Sequence, residues 1–296
     1  MALRHTRADG GRPARAVVIG AAGFVGKAIA GRLEADGIPV VRLGRAEIDL
    51  TATGADRALA ALLRPGDTCV FTSAKAPCKT PAMLAENIEM ARNVCAALES
   101  VPVDHALYVS SDAVYGDCLH PMTEASPAAP ESLHGAMHLA RELMLRHTLS
   151  NRPFAILRPT LIYGADDPHN GYGPNQFRRH ADAGRDIVLF GEGEERRDHV
   201  WIEDVASVAS GAVLRRSVGT LNVVSGAVTT FRSLAEQIAT LHGGRVKVVG
   251  TPRKGPMPHG GYRAFDAAAI AEAFPGLKLT QASDGVQRVH RALSGG

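Results

Sequence analysis

Residues 16–26 read AVVIGAAGFVG, a short apolar segment that runs directly into a glycine-rich turn. Its first four residues are apolar and mostly β-branched, which is typical of a buried parallel strand. The glycines recur at a spacing of three, as Gly20, Gly23 and Gly26. A helix is predicted to follow over about Val25 to Ala35. Because strand, turn and helix follow one another, the segment predicts an α/β fold with a parallel sheet.

The same turn predicts a binding site for a dinucleotide. Gly20 allows the tight turn, Gly23 lets the backbone approach a pyrophosphate, and Gly26 lets the helix pack against the sheet. Phe24 and Val25 lie at the N-terminal end of the predicted helix, where free N–H groups and the positive end of the helix dipole attract phosphate. We therefore expect a doubly wound Rossmann sheet that binds a dinucleotide cofactor.

The second predicted strand, Val40 to Leu43, bears on which cofactor is bound. NAD sites usually carry an acidic residue after this strand for the ribose 2′-hydroxyl. Here Arg42 and Arg45 are available instead, and guanidinium groups suit a 2′-phosphate in charge and geometry. The pattern favours NADP over NAD; the alternative is that both arginines are solvated loop residues.

Composition and charge narrow the class of protein. A chain of 296 residues can form one large α/β domain, alone or with a smaller cap. Its net charge of +3 is too balanced to predict a nucleic-acid partner. The four cysteines lack metal-ligand or secreted-domain spacing, which predicts reduced thiols in the cytoplasm. No apolar run approaches the ~20 residues of a membrane span, and we expect no membrane partner.

Two further motifs carry a resemblance to a known family. Residues 105–116 read HALYVSSDAVYG, a predicted strand with a polar end, and residues 130–142 read PESLHGAMHLARE. Together with the glycine turn, they resemble the extended short-chain dehydrogenases of the NAD-dependent epimerase/dehydratase family. The resemblance extends from about Ala16 to His290. It implies an NAD(P)-dependent oxidoreductase or epimerase acting on a nucleotide-activated sugar, by hydride transfer at a keto or hydroxyl carbon.

The family's catalytic helix is altered in this chain. The resemblance assigns Ser111 to the catalytic Ser or Thr, which hydrogen-bonds the sugar oxygen. The helix motif of the family contains Tyr-x-x-x-Lys, in which the Tyr is the acid/base and the Lys lowers its pKa. Here His134 stands at the Tyr position and His138 at the Lys position. Their i,i+4 spacing places both imidazoles on one face of a helix predicted over about Ser132 to Leu149.

Several interpretations of this pair remain open. In the first, which we favour, His134 is a substitute acid/base because imidazole titrates near neutral pH, and His138 takes the place of the Lys. In the second, the protein is a catalytically impaired dinucleotide-binding protein with a sensing or regulatory role. In the third, the pair provides two ligands of a zinc site. No third ligand lies at a supporting spacing in the sequence, so we expect no metal. A shifted alignment would instead make Tyr115 or Tyr163 the phenol.

The resemblance implies further contacts with the cofactor and the substrate. A small-residue turn after the third strand, predicted over about Thr68 to Thr72, would lie under the nicotinamide. The implied cofactor contacts beyond the glycine turn are Asp49, Leu50, Ser73, Ala74, Lys75 and Asn87. The implied substrate contacts are Asp112, Asn175, Arg197 and Arg263. Since NADP is the usual reductant, we favour 4-keto reduction slightly over 4-epimerisation.

The expected organisation has two domains and a flexible tail. Residues 1–14 are polar and form the tail, and residues 15–165 form the dinucleotide-binding domain. Residues 166–296 form mainly a smaller α/β cap that binds substrate, with about 186–224 returning to the Rossmann domain. The active site would lie in the cleft between the domains. The resemblance also implies a homodimer, in which the helix of residues 87–98 and the helix bearing His134 form a four-helix bundle.

Overall fold

Twelve strands and nine helices lie within residues 2–294, the part of the chain that the computed structural model describes. The strands are β1 (Ala16–Ile19), β2 (Val40–Leu43), β3 (Thr68–Phe71), β4 (His105–Val109), β5 (Phe154–Pro159), β6 (Leu161–Tyr163), β7 (Ile187–Phe190), β8 (Arg196–Trp201), β9 (Gly219–Val223), β10 (Val228–Thr230), β11 (Val248–Thr251) and β12 (Tyr262–Arg263). The helices are α1 (Phe24–Ala35), α2 (Ala55–Leu62), α3 (Pro81–Ser100), α4 (Leu133–Thr148), α5 (Pro174–Asp182), α6 (Ile202–Leu214), α7 (Phe231–Leu241), α8 (Ala268–Ala273) and α9 (Ala282–Ser294).

The central sheet has six parallel strands in the order β2-β1-β3-β4-β5-β9. Alternate residues of β1 enter different cores, because successive side chains of a strand point to opposite faces. Val18 packs with α1 and α6 on one face, whereas Val17 packs with α2, α3 and α4 on the other. The predicted doubly wound Rossmann sheet is confirmed, with helices covering both faces.

The site is positioned by the point at which the strand order reverses. β1 pairs with β2 on one side and β3 on the other, so the connections that leave β1 and β3 diverge. A crevice therefore opens beyond the carboxyl ends of these strands, where ligands of such sheets bind. None of the helices within residues 2–294 combines the length and the apolarity that a membrane crossing requires.

The cap is built from two small sheets and several C-terminal helices. β8 pairs with β10, β12 and β6, while β7 pairs with β11. The sequence predicts that some segments within about residues 186–224 return to the Rossmann domain. Only α6 and β9 do so, because β7 and β8 join the small sheets. The inner residues of β7, Ile187 and Leu189, pack with apolar residues of α5 and α7 rather than with the central sheet.

The N-terminal segment differs from the flexible tail that we expected. Arg4 exchanges backbone hydrogen bonds with Val218, at N···O distances of 2.9 and 2.8 Å. His5 Nδ1 lies 2.8 Å from the Ser217 hydroxyl oxygen, and Gly11 N donates to the Leu214 carbonyl at 2.8 Å. β9 is an edge strand, whose free backbone groups are available for pairing. The segment therefore packs beside the edge of the sheet.

Candidate active site

A cleft with a volume of about 1390 Å³ lies between the Rossmann sheet and the cap. Pockets for single drug-sized ligands measure about 300–1,000 Å³, so this cleft can hold a cofactor and a second ligand together. Its lining residues include Gly20 after β1, Ser73 after β3 and Ser111 after β4. Asn175 and Arg197 line it from the cap. All the predicted site residues line this cleft except Arg42 and Asn87.

The glycine turn fits a pyrophosphate. Gly20 has a φ of +97°, and a Cβ there would lie 2.5 Å from the Ser73 backbone nitrogen. A Cβ at Gly26 would lie 2.1 Å from the Gly20 carbonyl oxygen. Gly23 precedes the first residue of α1 and provides no side-chain cap, so the first N–H groups of α1 are left for an anion. The residues present therefore suit a dinucleotide.

The two arginines after the glycine turn have different environments. Arg42 Nε and Nη2 donate to the two Glu34 carboxylate oxygens at 2.8 and 2.7 Å, and this pairing lowers the pKa of Glu34. Arg42 is thus held against α1 and does not line the cleft, which corrects its predicted contact with the cofactor. Arg45 lines the cleft with a side chain that is 85% exposed and lies 3.2 Å from Asp49. Of the two arginines, Arg45 is the one that lines the cleft.

Asn87 supports the cofactor site from behind its wall. It is fully buried, its Oδ1 accepts the Lys75 N–H at 3.0 Å, and its Nδ2 donates to the Lys75 carbonyl at 3.1 Å. A second bond from Nδ2 reaches the Met83 carbonyl at 2.8 Å. The predicted contact of Asn87 with the cofactor is therefore corrected, because its amide is occupied in holding the turn at Lys75.

Ser111 lies where the family's catalytic Ser is expected, at the end of β4. Its hydroxyl oxygen accepts the Ala113 N–H at 3.1 Å and caps the 3₁₀ turn Asp112–Val114. The Ser111 hydroxyl oxygen lies 3.4 Å from Asp112 Oδ1. Since that contact is long, the hydroxyl remains available to an oxygen bound in the cleft.

Arg263 lines the cleft, and each of its three nitrogens donates to a partner within the protein. Nε donates to Asp112 Oδ2 at 3.0 Å, Nη1 to Asp117 Oδ1 at 3.1 Å, and Nη2 to the Asp112 carbonyl at 2.7 Å. Its role in binding substrate stays a prediction. The guanidinium ties the cap to the loop after β4, and its charge is balanced by two carboxylates.

His134 projects from the first turn of α4, where Ser132 caps the helix by accepting the Gly135 N–H at 3.1 Å. Its Nδ1 faces the Cys78 backbone N–H at 3.4 Å. Because a backbone N–H can only donate, this contact favours the neutral imidazole that carries its proton on Nε2. Burial lowers the pKa of His134 from its ordinary value, while the nearby Asp112 carboxylate opposes that shift.

His138 lies one turn further along α4, with its ring centroid 4.8 Å from that of His134. It is buried, and its Nδ1 lies 2.7 Å from the Tyr108 phenol oxygen. Burial lowers the pKa of His138 well below its ordinary value, and His134 and Arg141 lower it further. His138 is therefore a neutral side chain at neutral pH.

The two tyrosines of the shifted alignment do not replace His134. The Tyr115 hydroxyl donates to Asn222 Oδ1 at 2.7 Å and accepts from Arg158 Nη1 at 2.8 Å. Tyr163 is buried behind the cleft wall, packed so closely against Gly285 that no Cβ could be added there. Among residues 2–294, no group of three or more His, Cys, Asp or Glu side chains is arranged to hold a metal ion.

The cap contributes groups that the sequence motifs only partly indicated. Arg197 Nη2 contacts Glu195 and the Pro258 carbonyl, while its buried Nη1 has no partner within the described chain. Asn175 accepts the Gly164 N–H at 3.2 Å and donates to Asp167 at 2.8 Å, so it braces the loop after β6. The sequence analysis did not predict Glu195 as a residue of the cleft. Its position two residues before Arg197 could have indicated that the two side chains pair.

Comparison with known proteins agrees with this geometry. The profile of the NAD dependent epimerase/dehydratase family matches residues 16–223. The chain is 30% identical over 261 residues to a UDP-glucose 4-epimerase of Mycolicibacterium smegmatis, covering 76% of this chain and 82% of that protein. It is 28% identical over 239 residues to a dTDP-4-dehydrorhamnose reductase of Streptomyces griseus, covering 77% and 76%.

The fold is similar to that of a UDP-glucose 4-epimerase from Thermotoga maritima, solved with UDP-glucose. The TM-score is 0.83 at 20% identity, over 95% of this chain and 99% of that one. Because the family profile spans more than half of the chain and includes the glycine turn, Ser111 and the altered helix, this protein belongs to the NAD dependent epimerase/dehydratase family of short-chain dehydrogenase-type enzymes.

Proposed function

We propose that this protein is an NADP-dependent oxidoreductase of a nucleotide-activated sugar and that it reduces a 4-keto group in preference to 4-epimerisation. The observation that carries the proposal is that Ser111 and His134 line the same cleft as the glycine turn. A hydroxyl, an imidazole and a dinucleotide site in one cleft are the parts that hydride transfer to a sugar carbonyl requires. Relatives named as a nucleotide-sugar epimerase and a nucleotide-sugar reductase support this substrate class.

Each residue group of the cleft has a separate role in the proposed reaction. Gly20, Gly23 and the first turn of α1 would hold the pyrophosphate of NADPH, which would supply the hydride when bound. The Ser111 hydroxyl donates a hydrogen bond to the substrate oxygen, where negative charge develops. His134 in its imidazolium form gives that oxygen a proton. The free Nη1 of Arg197 binds a phosphate oxygen of the substrate.

Turnover with defined substrates tests the proposal. We expect NADPH to be consumed in the presence of a nucleotide-linked 4-keto sugar, and no consumption with the same sugar lacking its nucleotide. NADPH binding without hydride transfer to UDP-, dTDP- or GDP-linked keto sugars would instead support the catalytically impaired dinucleotide-binding protein.

Substitution of Arg45, with Arg42 as the matched control, tests the preference for NADP over NAD. Arg45→Ala is expected to weaken NADP binding relative to NAD by ~1.5 kcal/mol, the lower range for a hydrogen bond to a charged group, because the side chain is exposed. Arg42→Ala should leave the ratio unchanged, since Arg42 is paired with Glu34. Titration calorimetry with both cofactors measures this. A preference of the wild type for NAD, or equal loss in both variants, would contradict NADP specificity.

The homodimer is proposed to form through α3 and α4. Leu143 on α4 is 59% exposed, and Leu139 on the same helix and Met90 on α3 are half-buried. Leu143→Glu should convert a dimer to a monomer in light scattering, because the charge would be buried at the two-fold contact. Leu293→Glu is the control, since Leu293 is similarly exposed at 50% but lies on α9. A monomeric wild type would exclude the dimer.

A further inference from the structure

Arg141 is a fully buried arginine of α4 that lies behind the two histidines. Its guanidinium lies 4.4 Å from the ring centroid of Phe71 and 5.7 Å from that of Tyr108. Nη2 donates to the Ser73 carbonyl at 2.7 Å, and Nη1 contacts the Met137 sulfur at 3.6 Å. These partners, within the described chain, are ring faces, a carbonyl and a thioether rather than a carboxylate. A buried cation without a carboxylate is costly, which marks this position for a role beyond packing.

The charge of Arg141 favours one direction of the neighbouring hydrogen bond. Tyr108 and His138 are both buried, with 2.7 Å between the phenol oxygen and Nδ1. The guanidinium faces the electron-rich phenol and would repel an imidazolium beside it. A phenol hydrogen donated to Nδ1 leaves the single proton of the neutral imidazole on Nε2.

We propose that Arg141 and Tyr108 are positioning residues that hold His138 as a neutral imidazole with its proton on Nε2, and that this N–H donates to the dinucleotide bound in the cleft. The proposal rests on the proposed cofactor binding. His138 lines the cleft, so its N–H can reach a ligand there. Arg141 also donates to the carbonyl of Ser73, which lines the same cleft, so one buried side chain supports two parts of the cleft wall.

The surroundings of His138 keep this donor independent of pH in the neutral range. The charged and titratable groups that act on it are Tyr108 from β4 and His134 and Arg141 from its own helix. Burial, His134 and Arg141 all lower the pKa of His138, and burial raises the pKa of Tyr108 to about 12. Neither group therefore changes its charge near neutral pH.

The tautomer of His138 is measured directly by nitrogen NMR of the histidine-labelled wild-type protein. We expect Nδ1 to be unprotonated and Nε2 protonated throughout the neutral pH range, with and without NADPH. A proton on Nδ1, or an imidazolium that titrates in this range, would overturn the proposal. This measurement needs no variant and does not depend on turnover.

Variants then test the link to the cofactor. Tyr108→Phe removes the phenol hydrogen but keeps the ring beside Arg141, so it should release His138 to both tautomers and weaken NADPH binding about threefold to tenfold. The substrate KM should not change. Arg141→Met should allow His138 to titrate at a higher pH, and Arg141→Lys should restore part of the wild-type behaviour. Tyr163→Phe, which removes a buried phenol away from the cleft, is the control.

The outcomes separate this inference from the proposed function. A wild type that binds no dinucleotide contradicts the proposed function, while the NMR result still decides the tautomer. If Tyr108→Phe changes neither NADPH binding nor the His138 spectrum, the inference about His138 is overturned and the proposed function is not.

Discussion

His134→Ala is expected to lower turnover by ~10²–10⁴-fold, the usual contribution of a positioned acid/base group. Cofactor affinity should change little, because the glycine turn and Arg45 lie on other elements. Steady-state kinetics together with a separate NADPH binding measurement provide both values. His169→Ala is the matched control, since His169 is an exposed imidazole that lines the same cleft.

A wild-type rate in His134→Ala would show that the assignment is wrong. Ser111 or a water molecule would then carry the proton, since the Tyr115 hydroxyl is occupied by Arg158 and Asn222. A loss of equal size in His169→Ala would indicate a general effect on the cleft rather than proton transfer by His134.

The pH dependence of reduction follows from the environment of His134. Reduction uses the imidazolium, so the rate should be highest at acid pH and fall as pH rises through the pKa. Since burial lowers that pKa, the inflection should lie on the acid side of the ordinary histidine value. Asp112→Asn should move it further to acid pH, because the carboxylate opposes the shift. An inflection above the ordinary value would contradict this role.

Arg158→Leu is expected to lower the free energy of unfolding by ~3–5 kcal/mol, because it leaves a buried carboxylate without its cation. Glu142 is 1% exposed, and it accepts Arg158 Nε at 2.8 Å and the Ser110 hydroxyl at 2.6 Å. Urea unfolding measures the change through its midpoint.

Two further variants make this prediction specific. Arg146→Leu is the control, since Arg146 is 39% exposed and lies 4.0 Å from Glu142, so its loss should cost about 1 kcal/mol. Replacing both Arg158 and Glu142 with leucine should recover part of the stability, because no unpaired charge remains. Equal losses for Arg158→Leu and Arg146→Leu would contradict the assignment of the buried pair.

The parts of the fold that were predictable depend on short stretches of chain. Residues 16–26 carry the strand, turn and helix together, and the structure has them as β1 and α1. Gly26 can be assigned from the sequence because a Cβ there would collide with the same turn. Ser73 and Ser111 reach one cleft because parallel strands end at the same edge of a sheet. Local periodicity and glycine spacing are sufficient for these features.

The partners of the charged side chains could not be predicted in this way. Arg263 is bound by Asp112, 151 positions earlier in the chain, and Arg42 is drawn to Glu34 on a different element. The sequence gives no sign that Arg141 differs from the other basic residues of its helix. Only the folded structure shows its guanidinium beside the rings of Phe71 and Tyr108. The pKa of a charged side chain depends on its burial and on the charges near it in space. Both are created by elements that lie far apart in the sequence. The sequence alone therefore identifies the cleft, whereas the packed structure determines which of its charges remain available to a ligand.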